Sequence, residues 1–379
     1  MNKITLGIVA AVFSASANAS WTIMDVGESI FAFSINDSGQ ITGRVDVNNS
    51  ASGYAFITDA NGLNMRNIGT LGISSTGNDI NNLGQVVGHY MTENGDFLPF
   101  VTGPNGNGMA DPGILTGSNT ALYGINESGQ IIGSYSLNND GRSFIADADS
   151  TNINDIGSLA GLSTHAVSLN NSGQVVGYSL GSDGRDHAFI TNNDGTGLKD
   201  LGTFDPKYYK TSIAYDINDS GQTAGYSSMD NSFWAQAFIT GADGTGITSI
   251  GTLGGTYSAA TAINNAGQVI GLSSAEFGGF EHSFIYANGG MTDLTLLPEV
   301  VNAGWTDIYV SDINNNGQIT GWGFMENDPG NAHSFLLSFT ADTVFTPQDL
   351  YIPPVPEPST YLMLLAGLGF LGFVARRNS

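Results

Sequence analysis

A nine-residue pattern, Ile/Leu-Asn-x-x-Gly-Gln-x-x-Gly, occurs seven times along this chain of 379 residues. The asparagine and the first glycine of the copies are Asn36 and Gly39, Asn81 and Gly84, Asn126 and Gly129, Asn170 and Gly173, Asn218 and Gly221, Asn264 and Gly267, and Asn314 and Gly317. Successive asparagines lie 44 to 50 residues apart. A fixed period of this length indicates one structural unit per copy. The repeat therefore predicts a single array, where length alone would suggest two or three domains.

Each copy predicts a β-hairpin followed by two further strands. In the copy at Asn218, residues 213–217 form a candidate strand and Asn218 opens a turn that ends at Gly221. Asparagine suits the first position of a type I turn, and glycine suits the position where φ is positive. Residues 222–226, 237–240 and a segment ending at Gly251 complete four short strands. The repeats show no sustained 3.6-residue apolar period, so helices should be almost absent.

Seven units of four strands predict an all-β fold, a single seven-bladed β-propeller of four-stranded antiparallel blades. An open β-repeat array is the alternative, although it would need polar capping units. Residues 21–27 resemble a fourth strand but precede the first unit, so they could complete the last blade and close the ring. Residues 347–351 also resemble a fourth strand. The sequence therefore leaves open which terminus closes the ring.

The third strand of each unit carries a second signature. A phenylalanine occurs there in all seven copies, at Phe56, Phe100, Phe144, Phe189, Phe238, Phe284 and Phe335. We expect these rings to pack between neighbouring units. Histidine stands two residues earlier in three copies, as His187, His282 and His333, but other residue types replace it in the remaining copies. This variation favours a structural role at the start of the strand over catalysis or metal binding.

The two ends differ from the body, which spans residues 20–351. Residues 1–19 have the pattern of a secretory signal peptide, with Ala17 and Ala19 at a cleavage site that leaves Ser20 as the mature N-terminus. A buried first helix is the alternative. Residues 352–358 form a proline-rich spacer, and residues 359–379 predict a short transmembrane helix with an arginine tail. A plain membrane anchor is the alternative for this end.

The C-terminal segment resembles the PEP-CTERM sorting signal. The residues that carry the resemblance are Pro356, Glu357 and Pro358, a short glycine-containing apolar run, and then Arg376 and Arg377. The resemblance implies processing by an exosortase, after signal peptidase has removed the N-terminal peptide. It also implies a Gram-negative bacterium, transient anchoring in the inner membrane, and a final position at the cell surface or outside the cell.

The repeat itself resembles the HAF family of extracellular repeat proteins. The Asn-x-x-Gly-Gln-x-x-Gly pattern and the third-strand sequence His187-Ala188-Phe189 carry this resemblance. It implies an exported, propeller-like protein and supplies no catalytic residues.

Charge and composition narrow the range of partners. The chain has 34 acidic and 10 basic residues, which gives a formal net charge of −24, and it has no cysteine. Such a surface repels phosphate backbones and anionic lipids, so nucleic acid is excluded as a partner. Neutral exopolysaccharide, surface proteins and divalent cations remain compatible. Disulfides and thiol chemistry are excluded.

Motifs for catalysis are absent from the sequence. There is no G-x-S-x-G elbow, and clusters such as Asn192-Asn193-Asp194-Gly195 lack the full pattern of a calcium loop. We therefore assign no catalytic, cofactor or metal-binding residues, with calcium in an Asn/Asp loop as the alternative. The candidate binding residues are aromatic residues in or near loops, Tyr208, Tyr209, Trp234, Trp305 and Trp322. Neutral sugars stack on such rings, and core packing is the alternative role.

We expect an exported, non-enzymatic repeat protein with a structural or adhesive role in an exopolysaccharide or biofilm matrix. A lectin-like module that binds glycan or protein is the first alternative, and a polysaccharide lyase or glycosidase is the second. Fold cannot separate these three, because propellers host all of them. An enzyme should break the sevenfold symmetry with acidic, histidine or tyrosine side chains that converge at one mouth of the ring. The ligand, cleavage of the tail and the oligomeric state stay open.

Overall fold

The computed structural model describes residues 20–47, 53–113, 119–137, 140–147, 151–161, 163–204, 211–229, 234–276 and 279–340. These residues form seven antiparallel sheets arranged as a β-propeller. Six sheets have four strands, and the second has three strands and an isolated bridge between Val101 and Ala110. The predicted seven-bladed fold is confirmed.

Each blade begins at the channel with its innermost strand and continues outwards. The N-terminal strand is β1 (Ser20–Glu28). Blade 1 contains β2 (Ile30–Ile35), β3 (Ile41–Asp46), β4 (Gly53–Ile57) and β5 (Arg66–Gly69). Blade 2 contains β6 (Ser74–Ile80), β7 (Val86–Met91) and β8 (Phe97–Val101). Blade 3 contains β9 (Ala121–Ile125), β10 (Ile131–Leu137), β11 (Asp140–Ala146) and β12 (Asn154–Asp155).

The remaining blades follow the same order. Blade 4 contains β13 (Thr164–Leu169), β14 (Val175–Leu180), β15 (Asp186–Ile190) and β16 (Lys199–Asp200). Blade 5 contains β17 (Ser212–Ile217), β18 (Thr223–Ser228), β19 (Ala235–Gly241) and β20 (Thr245–Gly251). Blade 6 contains β21 (Ser258–Ile263), β22 (Val269–Ser274), β23 (Glu281–Ala287) and β24 (Gly290–Asp293). Blade 7 contains β25 (Trp305–Ile313), β26 (Ile319–Met325), β27 (Asp328–Thr340) and β1.

The ring is closed by the N-terminal strand. Strand β1 pairs antiparallel with β27, with Ser20 opposite Thr340 and Glu28 opposite His333. Of the two segments that the sequence offered for closure, residues 21–27 therefore complete blade 7. The competing segment, residues 347–351, lies outside the described residues.

The repeated motif forms the predicted hairpin turn. In the copy at Asn264, the Gly267 N–H donates to the Asn264 carbonyl oxygen over 2.9 Å, and Gly267 has a φ of +75°. The Asn264 Oδ1 accepts hydrogen bonds from the N–H groups of Ala266 and Gln268, at 3.1 and 3.0 Å. This geometry explains why asparagine and glycine recur at these two positions.

The last glycine of the motif permits close contact between the first two strands of each blade. A β-carbon placed on Gly271 would overlap the carbonyl oxygen of Ala259 on the adjacent strand. The pairing of β21 with β22 skips one residue, Thr261, between Ala260 and Ala262. This skip is a β-bulge, which twists the strand and re-aims its side chains.

The third-strand phenylalanines pack as predicted. All seven are buried, with an exposed fraction of 0%. Phe284 of blade 6 lies in one cluster with Ala224 and Ala237 of blade 5 and with Ile263 of its own blade. The hydrophobic core is therefore divided into layers between adjacent blades.

Helix is scarce, as the periodicity predicted. The described residues contain one α-helix, α1 (Pro298–Asn302), and three single turns of 3-10 helix. Across those same residues, no helix has both the length and the apolar character needed to span a membrane. The signal peptide (residues 1–19), the proline-rich spacer (352–358) and the C-terminal transmembrane segment (359–379) are predictions that fall outside the described residues.

Candidate functional site: the central channel

A β-bulge in each innermost strand shapes the central channel. The bulged residues, one from each blade in chain order, are Phe33, Asn78, Tyr123, Val167, Tyr215, Thr261 and Ser311. Each is followed by a residue that also borders the channel, namely Ser34, Asp79, Gly124, Ser168, Asp216, Ala262 and Asp312. Because a bulge breaks the strict alternation of a strand, two successive residues border the channel in every blade.

One end of the channel, which we call the hairpin mouth, is formed by the seven motif turns. The Nδ2 of each motif asparagine donates to the carbonyl oxygen of the motif asparagine in the next blade, over 2.9 to 3.2 Å. The last of these bonds runs from Asn314 to Asn36 and closes the ring. The motif asparagines therefore connect the blades, a role beyond the hairpin turn that the sequence predicted.

A second closed ring lies beside the first. It is formed by the residues that follow the motif asparagines, Asp37, Asn82, Glu127, Asn171, Asp219, Asn265 and Asn315. The side-chain oxygen of each accepts the backbone N–H of its counterpart in the preceding blade, over 2.8 to 3.1 Å. The polar side chains of the hairpin mouth are thus engaged in holding the blades together.

Three aspartates inside the channel break the sevenfold symmetry. Asp79, Asp216 and Asp312 accept backbone N–H groups from the next blade, those of Ile125, Ile263 and Ile35, over 2.8, 2.8 and 2.9 Å. In the described part of the chain, the residues that line the channel include no lysine or arginine. Each carboxylate therefore joins two blades and has no cationic partner in the channel lining.

A serine hydroxyl lies between two of these carboxyl groups. The Ser34 Oγ is 2.7 Å from the Asp79 Oδ1 and 2.9 Å from the Asp312 Oδ2. A hydroxyl carries one proton, so it can donate to only one carboxylate at a time. The second short contact is satisfied when the other carboxyl group is protonated and donates to the serine oxygen.

The pKa values agree with protonation in the channel. Burial raises the pKa of Asp216 to about 7, and the charge of Asp312 adds to this increase. Burial also raises the pKa of Asp312 to about 6, with Asp79 contributing. For Asp79, burial raises the pKa above its usual value despite the hydrogen bonds from Ile125 and Ser34. These carboxyl groups hold protons at a pH where exposed aspartates are ionised.

The opposite end of the channel, which we call the aromatic mouth, is bordered by Phe33, Tyr123 and Tyr215. This end of the channel is a depression of about 150 Å³, whose lining also includes Asp79, Asp216 and Asp312. Phe33 is 37% exposed and Tyr123 is 41% exposed.

Further aromatic pairs, which we include in the aromatic mouth, lie two residues before the bulge on the innermost strand and opposite it on the second strand. Tyr309 stacks on Trp322 with ring centres 4.6 Å apart, and His165 stacks on Tyr178 at 4.8 Å. The aromatic mouth is therefore a set of paired rings.

The predicted binding residues occupy three different settings. Trp322 lies in the aromatic mouth, and Trp234 is 44% exposed ahead of β19. Trp305 is only 5% exposed because it packs edge-on against Phe335, so its predicted role as a binding platform is corrected to core packing. Tyr208 and Tyr209 lie outside the described residues.

The three third-strand histidines join the third strand of a blade to its outermost strand. The Nδ1 atoms of His187, His282 and His333 lie 2.8, 2.7 and 3.1 Å from carboxylates of the outermost strand. The carboxylates belong to Asp200, Asp293 and Asp25, respectively. This arrangement agrees with the structural role that the sequence favoured.

His333 also contacts Asp328 through Nε2, over 3.2 Å. Burial lowers the pKa of His333, but the hydrogen bonds and charges of Asp328 and Asp25 outweigh burial and raise it overall. His333 therefore ties β1, the strand that closes the ring, to β27.

The channel aspartates and the paired aromatic rings were not anticipated from the sequence. The available signal was a carboxylate directly before the motif isoleucine in only three of the seven copies. Among the described residues, no group of three or more His, Asp or Glu side chains is placed to hold a metal ion.

Comparisons with known proteins identify the tail and the fold. Residues 354–378 match the PEP-CTERM protein-sorting motif. The motif implies export, processing by an exosortase, and a position at the cell surface or outside the cell. The described fold and this match leave the resemblance to HAF repeats as a prediction. No curated protein matches the sequence.

Solved structures with a similar fold share little sequence with this chain. The β-propeller domain of the Trilobed protease from Pyrococcus furiosus, which has an open velcro topology, is 11% identical with a TM-score of 0.56, over 87% of this chain and 100% of that one. An oligogalacturonate lyase from Vibrio parahaemolyticus is 8% identical with a TM-score of 0.53, over 86% and 98%. An acylaminoacyl peptidase from Pyrococcus horikoshii is 10% identical with a TM-score of 0.54, over 84% and 53%. At these identities the similarity shows the fold alone.

Proposed function

We propose that this chain is an exported, non-enzymatic propeller with a structural or adhesive role at the cell surface or in an extracellular polysaccharide matrix. The PEP-CTERM sorting motif at residues 354–378 supports this setting. The proposal includes no cofactor and no metal ion.

The two closed hydrogen-bond rings are the observation that carries the scaffold role. They engage the polar side chains of the hairpin mouth in contacts between blades, from Asn36 around the ring to Asn314. Buried groups satisfied in this way stabilise one arrangement of the blades and resist rearrangement. A rigid ring is what a surface scaffold requires.

The channel aspartates are the groups that an enzyme would have to use. They break the symmetry, as we expected of an enzyme, but Asp216 accepts hydrogen bonds from the Ile263 N–H and the Ser168 hydroxyl, at 2.8 and 2.7 Å. A carboxylate committed to such partners is poorly placed to exchange protons with a substrate. A lyase acting on acidic polysaccharide is further disfavoured by the net charge of −24, which repels a polyanion.

The mature chain should therefore bind to or remain with the cell surface without degrading polysaccharide. In the test, purified protein is incubated with neutral and acidic polysaccharides, and the released reducing ends and unsaturated products are measured. Release of either product, abolished by Asp216→Asn, would contradict the non-enzymatic role.

Localisation forms the second part of the test. Fractionation of cells that express the wild-type chain or a Glu357→Ala variant should show the wild type at the surface or in the medium. We expect the variant to accumulate in the inner-membrane fraction, because the sorting motif is altered. Equal distribution of the two proteins would contradict sorting through the tail.

A further inference from the structure

The aromatic mouth concentrates exposed and half-buried aromatic side chains at one end of the propeller. Phe33, Tyr123 and Tyr215 border the opening. The further rings lie on the innermost and second strands of blades 1, 4, 5 and 7 and are those of Phe31, His165, Tyr178, Tyr226, Tyr309 and Trp322. The Phe31 ring centre lies 5.6 Å from that of Trp322, and this contact bridges blades 1 and 7. The Tyr215 and Tyr226 ring centres lie 5.9 Å apart in blade 5. The rings therefore extend over several adjacent blades.

Two of the bulged residues are more exposed than core packing would leave them. Phe33 and Tyr123 are 37% and 41% exposed, whereas the third-strand phenylalanines are 0% exposed. Both rings stand where a bulge turns an extra side chain toward the channel. Exposed aromatic residues grouped around a depression are typical of an interaction surface.

The polar groups among these rings are amides, hydroxyls and the three channel carboxyl groups of Asp79, Asp216 and Asp312. Asn78, Thr261 and Ser311 lie between the aromatic residues. The Asn78 Nδ2 donates to the Leu122 carbonyl oxygen over 2.7 Å and the Thr261 Oγ1 to the Ile270 carbonyl oxygen over 3.3 Å, but their side-chain oxygen atoms can still accept hydrogen bonds. Tyr123 is partly engaged, since its hydroxyl oxygen lies 3.1 Å from the Ser134 Oγ. Amide and hydroxyl groups beside flat rings suit a ligand that has both C–H faces and hydroxyl groups.

Further carboxylate groups lie near the rings on the innermost and second strands. Burial raises the pKa of Tyr309, and the charges of Asp307 and Glu281 raise it further, which places both carboxylates near this ring. Burial also raises the pKa of Tyr226, and the charge of Asp186 raises it further, which places Asp186 near that ring. Carboxylates accept hydrogen bonds from hydroxyl groups and repel anions, so the surrounding charge excludes uronic acids and nucleic acid.

These features favour one class of ligand. The C–H face of a neutral pyranose packs on an aromatic ring, and its hydroxyl groups bond to amides, hydroxyls and carboxylates. Rings spread over several blades suit a repeating chain better than a single side chain, which would contact only one or two of them. The lining of the depression combines aromatic, amide and hydroxyl groups with the carboxyl groups of Asp79, Asp216 and Asp312, which can accept hydrogen bonds from sugar hydroxyl groups.

We infer that the aromatic mouth binds a neutral polysaccharide chain laid across the end of the channel. This inference rests on the proposed surface role and specifies its partner. Phe33 and Tyr123 stack on sugar rings at the channel edge, and the Tyr309–Trp322 pair forms a second stacking platform in blade 7.

The test is affinity electrophoresis of the mature chain in native gels that contain dextran, galactomannan or xyloglucan. Gels with alginate provide the anionic comparison, and poly-lysine retention tests for a cationic peptide. We expect retardation by at least one neutral polysaccharide and by neither charged polymer. Titration of the intrinsic fluorescence of the four tryptophans, of which Trp322 lies in the aromatic mouth, with the same polysaccharide then gives a Kd.

The variants are Phe33→Ala, Tyr123→Ala and Tyr309→Ala. Each should weaken binding about tenfold, as expected when an aromatic anchor is removed from a binding surface. The matched control is Leu83→Ala, since Leu83 is 55% exposed at the hairpin mouth. This control should bind like the wild type. Phe33 and Tyr123 lie at exposed positions, so these variants should fold, and an unchanged urea midpoint verifies this.

Each outcome separates this inference from the proposed function. Absence of binding to every neutral polysaccharide, or binding that the three variants leave unchanged, overturns the inference while surface localisation still stands. Retention by poly-lysine in place of the polysaccharides also overturns it and assigns the surface to a peptide. Binding accompanied by release of reducing ends supports the aromatic mouth but overturns the non-enzymatic role.

Discussion

Replacing Asp216 with asparagine should stabilise this protein at alkaline pH and leave it nearly unchanged in acid. Asparagine has the same shape as a protonated aspartate. Its Oδ1 can accept from the Ile263 N–H, and its Nδ2 can donate to the Ser168 hydroxyl, which rotates to accept. The substitution therefore keeps both contacts between blades and removes the charge.

The direction of this change in stability follows from the pKa of Asp216. The folded state raises the pKa of Asp216 from 3.8 to about 7, so it holds the proton more tightly than the unfolded chain does. The stabilisation is complete below pH 3.8 and is lost as the pH rises through about 7. At 1.36 kcal/mol per pH unit, the interval from 3.8 to about 7 corresponds to about 4 kcal/mol. Because the group borders an open channel, where solvent relaxes around the charge, we expect about 2–4 kcal/mol.

Urea unfolding followed by tryptophan fluorescence measures this effect at half-unit steps from pH 4 to pH 9. The Asp216→Asn variant should match the wild type near pH 4, gain stability up to about pH 7, and remain about 2–4 kcal/mol more stable above that pH. The buffers contain EDTA, because a divalent cation would neutralise the same carboxylates. Asp312→Asn should show the same pattern with a smaller plateau, reached at about pH 6.

Asp194→Asn is the matched control for net charge. Asp194 is exposed, and its hydrogen bonds from Thr196 lower its pKa, so this variant should show no gain at pH 8. The reasoning is refuted if Asp216→Asn is less stable than the wild type at pH 8. It is also refuted if the difference between the two proteins does not change between pH 4 and pH 8.

Three further substitutions test the ring, its closure and the motif. Asn264→Ala removes four hydrogen bonds at a site that is 3% exposed and should cost about 2–4 kcal/mol in urea unfolding. His333→Gln should cost about 1–2 kcal/mol at pH 5.5 and less at pH 8.5. Its raised pKa means that the contact with Asp25 stabilises most at low pH and is lost as the pH rises through the folded value. Gly271→Ala should cost more than about 2 kcal/mol, because the new methyl group overlaps the Ala259 carbonyl oxygen on the adjacent strand.

Two control variants accompany these measurements. Asn193→Ala changes an exposed turn asparagine, and Gly330→Ala adds a methyl group where no atom lies within 4 Å. Both should unfold at the wild-type urea midpoint. If Asn193→Ala lost as much stability as Asn264→Ala, or Gly330→Ala as much as Gly271→Ala, the motif positions would have no special role.

The sequence predicted the blades well because each hairpin is encoded locally. Asn264 and Gly267 lie within one turn, and the turn geometry follows from those residue types alone. The buried phenylalanines were equally visible, since Phe284 and its six counterparts recur at one position. The choice of β1 for ring closure required the structure, because two segments had the same pattern.

The candidate site was largely invisible in the sequence because its contacts cross between blades. The bond from Asn264 to the Asn314 carbonyl oxygen spans 50 residues. Asp216 is a carboxylate on an inner strand whose partner, the Ile263 N–H, belongs to the next repeat. Trp305 stands beside a loop in the sequence but lies in the nine-residue strand β25, whose length carries the ring into the core.

The pairing of β1 with β27 also determines how the ring responds to mechanical force. Strand β27 is the last described strand, and it runs between β1 and β26 with antiparallel hydrogen bonds on both sides. Tension applied at Thr340 and resisted by the rest of the ring acts along β27. The hydrogen bonds on both of its sides are then loaded together in shear and are not opened one at a time. Strand β27, to which the closing strand β1 is paired, would therefore carry a pull from the C-terminal side, and that pull would have to break a whole ladder of bonds before the blades separate.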